Sequence, residues 1–362
     1  HRQPGGLEDT LFALRDAGVS LQEARDALSR LLVEPVLTAH PTEPTRRTIL
    51  RRQQDIFRRL IDMQNEALSP RELAADLDNI RDDITTIWQT EEHPAEARTV
   101  AAEHEHVLFF LTDCIYRVIP VVYEGVEAAL EAVWGPAGQA TDLPLMVRMA
   151  SWIGGDMVGR PEVTARTIRD SLARQRALAL DLYHRECRVL AEKLSQSASR
   201  VAVTPALEER IRLYSGHFPN ALGITPLRHR AMRYRVFLRL VMARLEATHT
   251  AGLYPYESAD ELAADLGLVA TSLEMNRGQH AGLFAVRRLK RRVETFGFHL
   301  MALDIRQEAL VNRRVVGKAL NELGEFRNKT IPDGERAKVR AGTKGNVINL
   351  SRQAIINDDL AA

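Results

Sequence analysis

A histidine set in a stiff stretch of backbone is the first feature of this sequence that can do chemistry. In VLTAHPTEPTRRT (residues 36–48), Pro41 fixes its own φ and biases His40 towards an extended conformation. An imidazole held that way can move a proton near neutral pH. Arg46 and Arg47 follow, and their guanidinium donors match the oxygens of a phosphate or carboxylate. The plainer alternative is a helix start capped by Thr42 and Glu43, with His40 a satisfied core histidine. A second segment, Trp152-Ile-Gly154-Gly155-Asp156-Met-Val158-Gly159-Arg160, has three glycines within six residues, which permit positive φ or a close backbone approach to a ligand. Its spacing matches neither GxxxxGK[ST] nor GxGxxG, so spacing alone makes it a structural loop. In the third, Thr295–Glu308, Asp304, Arg306, Gln307 and Glu308 close an apolar run, where a β/α barrel carries its active-site residues. An exposed Asp–Arg pair of little energetic value would explain the same residues.

The elements that must position these segments read mostly as helix. Residues 7–17 end at Gly18, and Ser20-Leu-Gln-Glu23 is a capping box opening the next helix. Helical periodicity returns over 45–67, 70–90, 96–133, 164–196, 205–215, 226–249, 257–275 and 278–296. Pro120 is expected to kink or break the helix that contains it. Leu145–Ser151 and Phe298–Asp304 read as short buried strands, and Val36-Leu37-Thr38 as a further apolar stretch. Long helices with rare strands suit a mostly α protein, with part of a β/α barrel.

Composition excludes other classes. The chain has 362 residues, 49 Lys+Arg against 48 Asp+Glu, 2 Cys and 45% hydrophobic content. That is a globular balance, and a net charge of +1 argues against a chain built around nucleic acid. The arginines at 228, 230, 233, 235 and 239 suit an exposed helix face better than a nucleic-acid interface, because interleaved aromatics are lacking. Cys114 and Cys187 are too few for a disulfide scaffold, so a reducing, cytoplasmic setting is expected. No uninterrupted apolar run approaches the roughly 18–20 residues of a membrane span. His104 and His106, at i, i+2, point to different sides of a helix and suit no shared metal.

Taken together, VLTAHPTEPTRRT, WIGGD with the PEVT that follows it, and TFGFHLMALDIRQE resemble phosphoenolpyruvate carboxylase in content, order and separation. The resemblance covers about residues 8–320 and implies an N-terminal portion, over 1–324, of a longer β/α-barrel enzyme; the start at His1 rather than Met agrees with a fragment. It implies a carbon–carbon lyase joining bicarbonate to phosphoenolpyruvate, through carboxyphosphate and an enolate, to give oxaloacetate and phosphate. His40 would take the carboxyphosphate proton, Arg306 would hold the substrate phosphate, and Trp152 would belong to the bicarbonate pocket. Arg46, Arg47, Gly154, Gly155 and Asp156 would complete substrate binding. The Mg²⁺ or Mn²⁺ of the family would take ligands from outside this chain, and the family is usually homotetrameric. Two residues depart from the family loop GGDxDGNP: Val158 stands where the family has Asp, and Arg160 where it has Asn. The alternative is a catalytically inactive helical module acting through protein contacts.

After residue 324 the composition changes. Three of the six lysines (Lys329, Lys338, Lys344) and four asparagines fall in 325–362, and AGTKGNVINLSRQAIINDD resembles a segment of tailed-phage major capsid proteins. The expectation is a foreign segment over 325–362. Native DNA read across codons 315–335 should show the junction; unbroken carboxylase sequence there would remove it.

Overall fold

The computed structural model describes residues 5–38, 45–92, 99–139, 143–158, 160, 162–223 and 225–322. Among them the chain is mostly helical. The helices are α1 (Leu7–Asp16), α2 (Leu21–Arg30), α3 (Arg47–Asp62), α4 (Pro70–Trp88), α5 (Val100–Phe109), α6 (Tyr116–Trp134), α7 (Ala165–Lys193), α8 (Pro205–His217), α9 (Pro219–Gly223), α10 (Arg233–Thr250), α11 (Ala259–Met275), α12 (Phe284–Phe296) and α13 (Ala309–Glu322). The strands are β1 (Val36–Leu37), β2 (Ala150–Ser151) and β3 (Ala302–Leu303). Local chemistry sets several boundaries. Ser20 with Glu23, and Ser69 with Glu72, form reciprocal capping boxes that satisfy otherwise orphaned N–H groups at the starts of α2 and α4.

The three strands pair in parallel, in the order β1-β2-β3. Val36 faces Ala150, which faces Ala302; Leu37 faces Ser151, which faces Leu303. Both longer expected strands, Leu145–Ser151 and Phe298–Asp304, shrink to two residues. Within Leu145–Ser151, the bridge between Val33 and Val147 extends the pairing. On the β3 side, Leu300 adopts a left-handed conformation (φ 61°), which breaks an extended run.

The helix expected over 96–133 is also corrected. Pro120 sits inside α6 without breaking it, and the irregularity is a π turn at Phe110–Ile115. Proline removes the N–H that would bond the carbonyl four residues earlier, that of Tyr116. Arg292 Nε donates to this carbonyl at 3.0 Å, while its Nη1 bonds Glu186 at 2.7 and 2.9 Å. A distant cation thus supplies the missing bond. Elsewhere, Pro226 and a 3₁₀ turn at Leu227–His229 delay α10 to Arg233, and a π turn at Gln279–Leu283 precedes α12. Helix α13 was not anticipated. Val100–Gly138 is long and apolar enough to cross a membrane, contrary to the reading of apolar runs alone; 44% of its most apolar window is buried within the protein.

The core lies where α7 packs on α10, and α11 on α12, with α6 alongside; Tyr183, Leu194, Phe237, Leu266 and Leu289 are fully buried there. Within it, the buried Asp265 carboxylate accepts bonds from Tyr214 and Tyr256 hydroxyls (2.7 Å each) and from Arg210 (2.5 Å). Burial pushes its pKa up, and those donors oppose the shift. Asp265→Ala would strand two phenols and a guanidinium, and we expect a loss of about 3–5 kcal/mol of stability in urea unfolding. A loss below about 1 kcal/mol would mean that water replaces the carboxylate.

Candidate active site

The parallel register brings two of the three chemical segments together at the C-terminal ends of their strands. Past β2 and β3, Asp156 and Arg306 form a further parallel bridge. Arg306 N–H donates to Gly155 O at 3.0 Å, and Met157 N–H donates to Arg306 O at 2.8 Å. The Arg306 guanidinium lies 4.5 Å above the Trp152 ring and bonds the Asp156 carboxylate at 3.2 Å. Arg306 is exposed, so its ring and carboxylate contacts leave donors free to face an anion. Asp156 Oδ1 also accepts from Val158 N–H at 3.1 Å, which folds the loop back on itself.

Both expected glycine properties are found, on different residues. Gly154 has φ +86°, and a Cβ there would meet Ser171 Oγ at 2.5 Å. At Gly155, a Cβ would lie 2.3 Å from Asp304 O. The glycines therefore let the two strand exits lock backbone to backbone. Ser151, which the sequence reading missed, joins β1 to this arrangement: its Oγ donates to Leu37 O at 2.7 Å and accepts from Ile153 N–H at 3.2 Å.

His40 lies outside the described residues, as do Thr42, Glu43, Gly159 and the segment 325–362. It follows β1, the third strand of the sheet, by three residues in sequence. Arg46 and Arg47 are engaged by acids. Arg46 bonds Glu91 at 3.2 Å; Arg47 lies 3.8 Å from Glu105, 3.9 Å from Asp113 and 5.1 Å above the Phe109 ring. Their partners are thus on α4–α5 and the segments around them, not Trp152, Asp156 or Arg306.

The two departures have simple structural outcomes. Val158 is exposed. Arg160, which brings a new cation to the loop, is taken up bidentately by Glu103 on α5 (2.7 and 3.0 Å) and bonds Glu162 at 3.1 Å. Its charge is thus neutralised by the protein itself. Glu103 lies 57 residues away, and no local signal marked it.

No group of three or more His, Cys, Asp or Glu among the described residues could hold a metal ion. His104 and His106 have different neighbours. His106 stands edge-on to Phe110, with ring centroids 5.1 Å apart. His104 is buried, its Nε2 lying 3.2 Å from the Gln175 side chain. Burial also depresses its pKa below the usual imidazole value.

The matching family model, phosphoenolpyruvate carboxylase, spans residues 1–342. The phosphoenolpyruvate carboxylase of Xanthomonas campestris pv. campestris is 43% identical over 343 residues, covering 95% of this chain and 37% of that protein. Those of Xanthomonas oryzae pv. oryzae and Ralstonia nicotianae are 43% and 35% identical, covering 88% and 89% of this chain. The parallel strands thus exit onto an arginine, an indole and a carboxylate. The chain belongs to the phosphoenolpyruvate carboxylase family. It spans about 37% of the length of the Xanthomonas campestris relative. The family match continues 18 residues past the change in composition at 324, to 342.

Gly155→Ala should force β2 and β3 apart, costing about 1–3 kcal/mol in chemical denaturation. An unchanged midpoint would show that the strand exits are not locked. The His104 shift gives a pH dependence. An unfolded imidazole protonates below about pH 6.5, whereas the folded one resists. Stability should be full above that value and decline as pH falls towards the depressed folded pKa. His104→Gln should flatten the decline; a curve with the wild-type slope would assign it to other groups.

Proposed function

We propose that this chain supplies the anion-binding and proton-transfer side of a phosphoenolpyruvate carboxylase active site. The observation that carries the reading is Arg306, presented beside Trp152 and Asp156 at the exits of parallel strands. In this reading Arg306 clamps the phosphate of phosphoenolpyruvate, because a guanidinium fork matches phosphoryl oxygens and stabilises the charge of the transferring group. Trp152 walls the bicarbonate side, and Asp156 keeps Arg306 in line. Bicarbonate attacks phosphorus, giving carboxyphosphate and the enolate of pyruvate. His40 takes the carboxyphosphate proton, the C–O bond to the phosphoryl group breaks to release carbon dioxide and phosphate, and the enolate attacks the carbon dioxide to form oxaloacetate. The backbones of Gly154 and Gly155 hold the loop, and Arg46 and Arg47 contribute positive charge further out.

The described residues do not fit the family's Mg²⁺ or Mn²⁺, so no step is assigned to a metal. The three parallel strands are taken as part of a β/α barrel, and the segment beyond the family match, 343–362, as a foreign, capsid-like addition. A cytoplasmic homotetramer is the family's usual setting and is proposed for the whole protein. A non-catalytic helical module acting through protein contacts is the second reading.

Calorimetric titration with phosphoenolpyruvate tests the first reading. Arg306→Gln should weaken binding about tenfold or more, since a hydrogen bond to a charged group contributes about 1.5–3 kcal/mol. Equal affinity in the variant would remove Arg306 from the site. A coupled oxaloacetate assay with bicarbonate and Mg²⁺, with His40→Asn as control, separates the two readings. Turnover that the variant abolishes supports catalysis by this chain, and absence of turnover supports the module.

A further inference from the structure

Three consecutive side chains on α5 reach the segments that build the site. Glu103 grips Arg160, in the loop between β2 and α7, with two bonds of 2.7 and 3.0 Å. Glu105 binds Arg174 on α7 at 2.5 and 3.1 Å and faces Arg47, at the start of α3, at 3.8 Å. His104, between them, meets the fully buried Gln175 at 3.2 Å. With its oxygen towards His104 Nε2, the Gln175 amide nitrogen donates to His299 O and, at 3.2 Å, to Met301 O. Those two carbonyls flank Leu300, the buried residue held at φ 61° immediately before β3. A non-glycine residue in that conformation persists only where its surroundings over-determine it.

We propose that Glu103-His104-Glu105 is a positioning clamp for the Trp152–Asp156–Arg306 site: Glu103 sets the loop carrying Trp152 and Asp156, His104 acts through Gln175 on the strand that delivers Arg306, and Glu105 ties α7, which carries Gln175, to the start of α3. None of the three touches substrate in the proposed reaction. The proposal rests on the anion-site reading only for what the clamped groups bind; the clamp itself is a statement about their placement.

The chain has three tryptophans, at 88, 134 and 152, so fluorine NMR of the 5-fluorotryptophan-labelled full chain reads Trp152 directly, once assigned with Trp152→Phe. E103Q should shift or broaden the Trp152 line while the Trp134 line stays in place and thermal unfolding remains cooperative. The reversed pair E103R with R160E should restore the Trp152 line. R160Q removes the same bond from the loop side, so the test does not depend on E103Q folding. A Trp152 line unmoved in both single variants overturns the clamp, as does a shift of the Trp134 line as large as that of Trp152. Titration with inorganic phosphate forms a second arm. The wild-type Trp152 line should respond, with the midpoint raised several-fold in E103Q. A wild-type line that ignores phosphate, while E103Q still displaces it, supports the clamp and overturns the anion-site reading. Equal phosphate midpoints in wild type and E103Q count against the clamp.

Discussion

The backbone contact between Gly155 and Asp304 is the constraint on which the site depends. A Cβ at Gly155 would stand 2.3 Å from the Asp304 carbonyl oxygen, so only glycine lets the exits of β2 and β3 approach this closely. Once they do, Gly155 accepts from Arg306 N–H and Arg306 accepts from Met157 N–H. The ladder therefore outlasts strands of only two residues each. Backbone bonds place the arginine, leaving its guanidinium to Trp152 and Asp156. A side chain oriented from a paired strand exit is held more closely than one on a free loop.

Arginine provides much of the long-range structure around this contact. Arg292 satisfies the carbonyl that Pro120 leaves open, Arg160 ties a loop to α5, and Arg288 joins α12 to Glu124 on α6 at 2.6 Å. Each uses several donors at once, which a point-like ammonium would not reproduce. The bias of 43 Arg to 6 Lys thus has a structural use in this fold. The buried Asp265 cluster follows the same logic with the sign reversed: one carboxylate gathers two phenols and a guanidinium on α8 and before α11. Such a network raises the cost of any alternative packing, because each partner would lose its bond in a low-dielectric interior.

Helix α5 shows how an unremarkable stretch of sequence gains a role. Glu103, His104 and Glu105 have the composition of a solvated helix face, and His104 with His106 invites a metal-site reading that helical geometry refuses. Their partners Arg160, Gln175 and Arg174 lie 57, 71 and 69 residues away. No periodicity or spacing within α5 carries that information.

Much of the fold was legible because its causes are local. The capping box at Ser20, helical spacing of apolar residues, and the apolar runs Leu145–Ser151 and Phe298–Asp304 follow from backbone geometry and nearest-neighbour sterics. The chemical segments were legible for a related reason: proton transfer and anion binding demand particular residue types, whatever the fold around them. The misreadings arose where distant groups changed the local answer. Pro120 stays in a helix where Arg292 donates to the carbonyl it leaves open, and the run before β3 is broken at Leu300, held at φ 61°. The sequence by itself determined most of the helices and the residue types available for chemistry. Tertiary structure alone decided that Asp156 would meet Arg306 and that Glu103 would neutralise Arg160, because those pairings depend on contacts across 150 and 57 residues that no local pattern encodes.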